Sequence, residues 1–154
     1  MPAINRTALI LTLVIAAVAS AACVKDAPTV LDASVTATQD VNPDPAGRPS
    51  PIVVRFYALK SLKSFDTAAF FDIYEKAPET FGADLVSWGE VDLTPGASKA
   101  LNVTLSPETR HVGFVAAFRS IDQATWRGSV DIPPNQTTRV AVDVEKLALS
   151  IAPN

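Results

Sequence analysis

Ile52-Val53-Val54-Arg55-Phe56-Tyr57-Ala58-Leu59 sets seven apolar residues around one charge. β-Branched and aromatic side chains dominate it, and these fit a pleated, packed surface better than a helix. Because odd and even positions are both apolar, the stretch reads as a central strand covered on two faces. Upstream the pattern is different. Leu31, Ala33, Val35, Ala37 and Val41 are spaced by Asp32, Ser34, Thr36, Thr38 and Asp40. That period of two marks a strand with one buried face. Between the two strands lies Asn42-Pro43-Asp44-Pro45-Ala46-Gly47-Arg48-Pro49-Ser50-Pro51, with four prolines in ten positions. Proline donates no ladder hydrogen bond, so this is no strand interior. It reads as a projecting loop, stiffened by its prolines.

Downstream, Lys60 to Ser64 breaks the central strand. Phe65, Ala69 and Ile73 then share one helical face, with Phe70 and Tyr74 beside it. The spacing predicts a helix over Asp66–Lys76, capped by Ser64 or Asp66 and stopped by Pro78, with a further helical turn over Glu79–Leu85. β patterning returns at Val86. Trp88, Val91 and Leu93 lead to a turn at Thr94-Pro95-Gly96, and Leu101, Val103 and Leu105 follow. His111 to Arg119 puts Val112, Phe114, Ala116 and Phe118 on one face, Ser120–Ala124 is a loop, and Trp126 to Ile132 is another strand. Val140, Val142 and Val144, then Leu147, Leu149 and Ile151, complete the set. About eight strands with one or two short helical inserts imply an all-β fold, a two-sheet β-sandwich, with a partly open barrel as the alternative. Phe56 and Phe114 belong in its core, Arg55 and Asp131 outside it.

The amino terminus has its own logic. A short positive region with Arg6 precedes the apolar run Ala8–Val18, then small residues, then Cys23, the one cysteine of the chain. Positive, apolar and small in that order is a secretory signal peptide. The run is shorter than the roughly 20 residues a spanning helix needs. A cysteine in that position looks like a bacterial lipobox, in which the thiol is acylated and the chain is cut before it. An ordinary cleavage site after Ala19-Ser20-Ala21 or Ser20-Ala21-Ala22 is the competing reading, and Ser20 stands where lipoboxes usually carry Leu. A secreted chain rarely keeps one unpaired cysteine, which favours lipidation. Val24, in place of the Asp common in inner-membrane lipoproteins, favours an outer-membrane address. The division is a signal peptide over residues 1–22, a lipidated tether over 23–29 and the sandwich over 30–154.

Composition excludes several functions. The net charge is −3 with signs interspersed, which is no nucleic-acid footprint. One histidine and one cysteine cannot assemble a zinc site, so no metal and no cofactor are expected. His111 lies in no motif and reads as a strand-edge residue rather than a catalytic base. Asp66, Asp72, Glu75, Glu79 and Asp84 belong to the solvated face of the helical insert. Phe65, Phe70, Phe71 and Tyr74 have core spacing, although they also suit the lining of a ligand groove. Arg119 and Arg127, near Trp126, suit a cation–π or ion-pair cluster that fastens the Ser120–Thr125 loop. No small-molecule substrate is expected, and the chain reads as no enzyme. The proline loop is the feature best suited to recognising a partner.

The lipobox, Arg48 to Leu59, Phe65 with Ala68-Ala69-Phe70-Phe71, Asp92-Leu93-Thr94-Pro95-Gly96, and Gly113 to Arg119 ahead of Trp126-Arg127 together resemble the TssJ family. These are outer-membrane lipoproteins of the bacterial type VI secretion system. The resemblance runs in order over nearly the whole chain after Cys23, with Phe118 where Tyr is expected before Arg119. It implies a transthyretin-like sandwich that faces the periplasm and holds the periplasmic C-terminal domain of the inner-membrane protein TssM. It assigns lipidation to Cys23 and the partner contact to the loop between the first two strands. Here those residues are Asn42, Pro43, Asp44, Pro45, Ala46, Gly47 and Arg48, with Pro43, Asp44, Pro45 and Arg48 foremost. A periplasmic transthyretin-like lipoprotein binding a small ligand or sugar is the alternative.

Overall fold

The strand-forming stretches pair into two four-stranded sheets in the computed structural model, which describes residues 26–154. The strands are β1 (Thr29–Ala37), β2 (Ile52–Leu59), β3 (Leu85–Leu93), β4 (Ser98–Leu105), β5 (His111–Ala116), β6 (Arg127–Asp131), β7 (Thr137–Val144) and β8 (Leu149–Pro153). One sheet has the order β4-β1-β7-β8 and the other β3-β2-β5-β6. Neighbours are antiparallel except β1 and β7, which run parallel. The expected signal-peptide cleavage site and Cys23 lie outside the described residues. Of the expected tether, Asp26, Ala27 and Pro28 are exposed and without secondary structure, whereas Thr29 already pairs in β1, so the sandwich begins one residue earlier than expected.

Alternation explains the first sheet. Leu31, Ala33, Val35 and Ala37 of β1 and Val140, Val142 and Val144 of β7 are buried, while the residues between them are partly or fully exposed. They form one core with Ile52, Val54, Phe56, Val112, Phe114 and Ala116 of the facing sheet. Strand β2 is central, as its two-sided apolar pattern requires. Its other face sends Tyr57 and Leu59, with Val115 of β5, into a second cluster built from Phe65, Ile73, Ala77 and Phe81. The molecule is therefore two sheets plus a helical layer. Gly113 sits where the layers meet, and a Cβ there would collide with the buried ring of Phe65.

The helical layer corrects the expected single helix over Asp66–Lys76. It consists of α1 (Lys63–Thr67), α2 (Phe70–Glu75) and α3 (Ala77–Phe81), followed by a 3-10 turn at Gly82–Asp84. Ala68 and Ala69 are extended, with ψ 151° and 158°, so α1 and α2 diverge. Neither Ser64 nor Asp66 caps α1. Pro78 does not end a helix but lies in the first turn of α3, where its missing N–H would have no partner. At each break a buried side chain takes over from helical periodicity: Phe65, Ile73 and Phe81 all reach the same cluster.

Strand β1 also stops earlier than the alternation suggests. Val41 is fully buried but lies beyond the strand, after a turn in which its N–H donates to the Thr38 carbonyl at 3.3 Å. Between the β5–β6 and β7–β8 connections, Thr125 bridges the sheets: its N–H donates to Leu147 O at 2.9 Å and its carbonyl accepts from Leu149 N–H at 2.7 Å. The sheets remain two, a sandwich and no barrel. Gly96, at φ 77°, supplies the left-handed position of the Thr94–Ala97 turn. Phe56 and Phe114 are buried, and Asp131 is exposed. Arg55 stays out of the sandwich core but is half-buried under the helical layer.

Candidate functional site

Three connections meet at one end of the sandwich: the β1–β2 loop, the β5–β6 loop and the β7–β8 loop. Asn42 ties them together. Its backbone N–H donates to Lys146 O at 3.0 Å, its Nδ2 to Pro51 O at 2.8 Å, and its Oδ1 accepts from Arg119 N–H at 2.8 Å. It is 3 % exposed and adopts φ 49°, a left-handed conformation that Asn tolerates better than most residues. Of the residues expected at the loop, Asn42 is thus the root, its side chain committed inward.

Beyond it the loop closes on itself. Asp44 N–H donates to Arg48 O at 2.8 Å and Gly47 N–H to Asp44 O at 2.8 Å, with Gly47 at φ 79°. The Asp44 carboxylate accepts from Ala46 N–H at 2.9 Å and Arg48 N–H at 3.0 Å through Oδ1. Its Oδ2 takes the Arg48 guanidinium at 2.8 and 2.7 Å. The Arg48 backbone N–H, and then the Arg48 guanidinium, hold the Asp44 carboxyl below its ordinary value. Pro45, Ala46, Gly47 and Arg48 are exposed around this closure, and Pro43 and Asp44 are half-buried. Asp-Pro-Ala-Gly-Arg is a turn sequence with a mechanism: a side-chain acceptor first, proline next, glycine at the left-handed position. The chain enters the loop again at Ser50, whose N–H donates to Val41 O at 3.1 Å. Beneath the tip, Pro43, Asp44, Pro45, Arg119, Ser120, Gln123 and Leu147 line a depression of about 640 Å³. Arg119 therefore belongs to this end and not to Trp126, a correction to the expected arginine cluster.

Arg127 does meet Trp126, with its guanidinium 4.7 Å from the ring. Its hydrogen bonds, however, run to Phe65 O and Ala68 O, both at 2.9 Å. It fastens the helical layer rather than the Ser120–Thr125 loop, and it satisfies the carbonyls around the α1–α2 break. The aromatics divide as core spacing predicts only in part: Phe65 is buried, Phe70 and Tyr74 are half-buried, and Phe71 is exposed. A second groove, of about 550 Å³, was not legible in the sequence; Arg55, Tyr57, Tyr74, Glu75, Ala77, Pro78 and Trp88 line it. In its floor Arg55 donates to Glu90 Oε2 at 3.0 Å and to Tyr74 O, with its guanidinium 3.8 Å from the Tyr74 ring. The Tyr57 hydroxyl donates to Ile73 O at 3.2 Å, and burial pushes its pKa up.

His111 pairs with Asp131 at 2.8 Å, and the Asp131 side chain is largely in water. Among the described residues nothing else hydrogen-bonds that imidazole, and no group of three or more metal-ligating side chains forms. Asp66, Asp72, Glu75 and Glu79 are exposed and Asp84 is half-buried, as a solvated helical face predicts.

Two sheets, a helical layer over one of them and a self-closed loop at one end define a β-sandwich shared with solved components of type VI secretion. The crystal structure of the T6SS lipoprotein TssJ1 from Pseudomonas aeruginosa superposes with TM-score 0.80 at 35% identity, covering 82% of this chain and 97% of that one. Serratia marcescens Lip, described as a membrane-bound component of the type VI secretion system, gives TM-score 0.76 at 25% identity over 82% and 98%. A chain in the structure described as the T6SS protein TssM C-terminal domain from EAEC gives 0.69 at 26% identity over 82% and 99%. No match is found among curated protein sequences. Residues 29–147 match the family described as "Type VI secretion lipoprotein, VasD, EvfM, TssJ, VC_A0113", and the chain belongs to that family. Among the described residues no helix is long and apolar enough to cross a membrane.

Proposed function

We propose that this protein is the outer-membrane lipoprotein of a type VI secretion membrane complex. It is anchored by a lipid on Cys23 after removal of residues 1–22, with residues 23–28 as tether, Thr29 being already the first residue of β1, and the sandwich in the periplasm. Its role is that of a non-catalytic scaffold: the β1–β2 loop holds the periplasmic C-terminal domain of TssM. The observation that carries this reading is the loop itself. Its tip is ordered by its own side chains, so little conformational freedom remains to be lost on docking. Family membership and the likeness to a chain of the TssM-domain structure support the choice of partner. Asn42 acts as the root, while Pro43, Asp44, Pro45, Ala46, Gly47 and Arg48 present the contact. The prolines offer apolar surface, and Arg48, with its side chain 80% exposed, offers charge.

The experiment replaces Pro43–Arg48 by a Gly/Ser stretch of equal length and keeps Asn42. The expected result is an unfolding free energy within about 1 kcal/mol of wild type, since the replaced residues pack no core. Capture of the purified TssM periplasmic domain falls by at least about tenfold. Wild-type capture by the replaced protein would move the interface to another part of the sandwich.

A further inference from the structure

We infer that the free edge of β3, with the groove between Trp88 and the helical layer, docks a basic polypeptide segment in extended conformation. This surface is separate from the β1–β2 loop and stands or falls without it.

Strand β3 is nine residues long and, among the described residues, pairs with β2 on one side only. Sheet edges are ordinarily blunted by short length, charged side chains (lysine above all), proline, bulges or cover. The other edges here are blunted in those ways: β6 has five residues, β8 has five with the Thr125 bridge at its start and Pro153 at its end, and β4 carries Lys99. β3 has no proline, lysine or arginine; its charges, Glu90 and Asp92, are both acidic, and its one irregularity, opposite Ala58 and Leu59, leaves Ser87–Leu93 in regular register. Its outward column is Trp88, Glu90 and Asp92, set across from Tyr57, Arg55 and Val53. Trp88 is 49% exposed and, with Phe71, makes up the exposed large hydrophobics among the described residues.

Charge selects the occupant. Among the described residues the one cation lining the groove is already engaged: Arg55 is bound by Glu90 and by the Tyr74 carbonyl, between the rings of Tyr74 and Trp88. Glu75 on the groove wall and Asp92 at the end of the column form no ion pair among the described residues. Lys76 follows Glu75 but does not line the groove. An acidic segment or a phosphate therefore meets uncompensated carboxylates. A basic segment instead sets one lysine or arginine against the exposed indole and Glu75 and another, four residues along at about 3.3 Å each, opposite Asp92, while its backbone fills the unpaired edge of β3. This is strand addition with a charged selectivity element.

The test uses the full chain with Trp126→Phe, so that Trp88 is the sole indole reporter, and two synthetic strand-forming peptides. Both have about ten residues of alternating Val and Thr, one with Lys and one with Glu on the indole-facing side. The Lys peptide is expected to bind, to change Trp88 fluorescence, to slow amide exchange in β3 and to weaken as salt rises. Trp88→Ala, and the pair Glu75→Gln with Asp92→Asn, should each weaken it by at least about tenfold, and backbone N-methylation of the peptide should abolish binding. Glu90 is left in place because it holds Arg55. The inference is overturned if the Lys peptide fails to bind at millimolar concentration, if the Glu peptide binds equally, or if protection falls outside β3. It is also overturned if sedimentation shows that β3 is instead occupied by a second copy of the chain.

Discussion

Substituting Asn42 isolates what orders the loop end. Asn42→Ala removes an acceptor from the Arg119 N–H and a donor from the Pro51 carbonyl. Each such bond contributes about 0.5–1.5 kcal/mol net, more where the abandoned partner is kept from water. The substitution also places a residue with a Cβ and no compensating polar group at φ 49°, which adds about 1 kcal/mol. Together these give a loss of about 3 kcal/mol. Asn42→Gly removes the same hydrogen bonds but relieves the left-handed backbone, so it should lose only about 2 kcal/mol. For a domain of this size each kcal/mol lowers Tm by about 3–5 °C, so Asn42→Ala melts about 10 °C early. Urea unfolding followed by intrinsic fluorescence reads the same order, and an unchanged m-value confirms that the folded states remain comparable. An Asn42→Ala variant within about 0.5 kcal/mol of wild type would refute the account of the root. A Gly variant no better than Ala would refute the backbone part alone.

Two further outcomes bear on the proposed role. Cys23→Ser should leave a protein that fractionates with the soluble periplasm; if it stays with the outer membrane as wild type does, the anchor lies elsewhere. Because the folded pKa of Asp44 lies below its ordinary 3.8, the closure it provides is complete above that pH and fades as pH falls through the lower folded value. The amide resonances of Ala46 and Arg48 should report this with a midpoint below 3.8, and a midpoint at or above it would dissolve the Asp44–Arg48 closure.

Patterning made the sheets legible because strand faces repeat every second residue. β2 was readable to its ends, since Arg55 alone interrupts its apolar run and Pro51 and Lys60 bound it. Legibility failed where tertiary contacts override local period. Val41 continues the alternation of β1 yet reaches the core after a turn, so the sequence overstated the strand. Phe65 and Ile73 share a helical face on paper, but each is drawn to the Tyr57–Leu59 face from its own short helix. The loop was visible as prolines, whereas its rigidity rests on Asp44, whose partners Ala46 and Arg48 are local, and on Asn42, whose partners Arg119 and Lys146 lie far along the chain. The Asn-Pro step at 42–43 was the available signal for a turn-initiating Asn. The groove beside Trp88 gave no sign, because it needs β2, β3 and the helices to be placed first.

The parallel pairing of β1 with β7 has a consequence in time. β1 sits between β4 and β7, and even its first residue, Thr29, accepts a hydrogen bond from Asn135 N–H, 106 positions away. No local hairpin can therefore complete the first sheet; its middle must wait for the carboxy-terminal third of the chain. Long loop closures of this kind make folding slow and late. A polypeptide proposed to leave the cytoplasm as an extended thread gains from that delay, since the sheet that would obstruct its passage cannot close before β7 has been synthesised and has found β1.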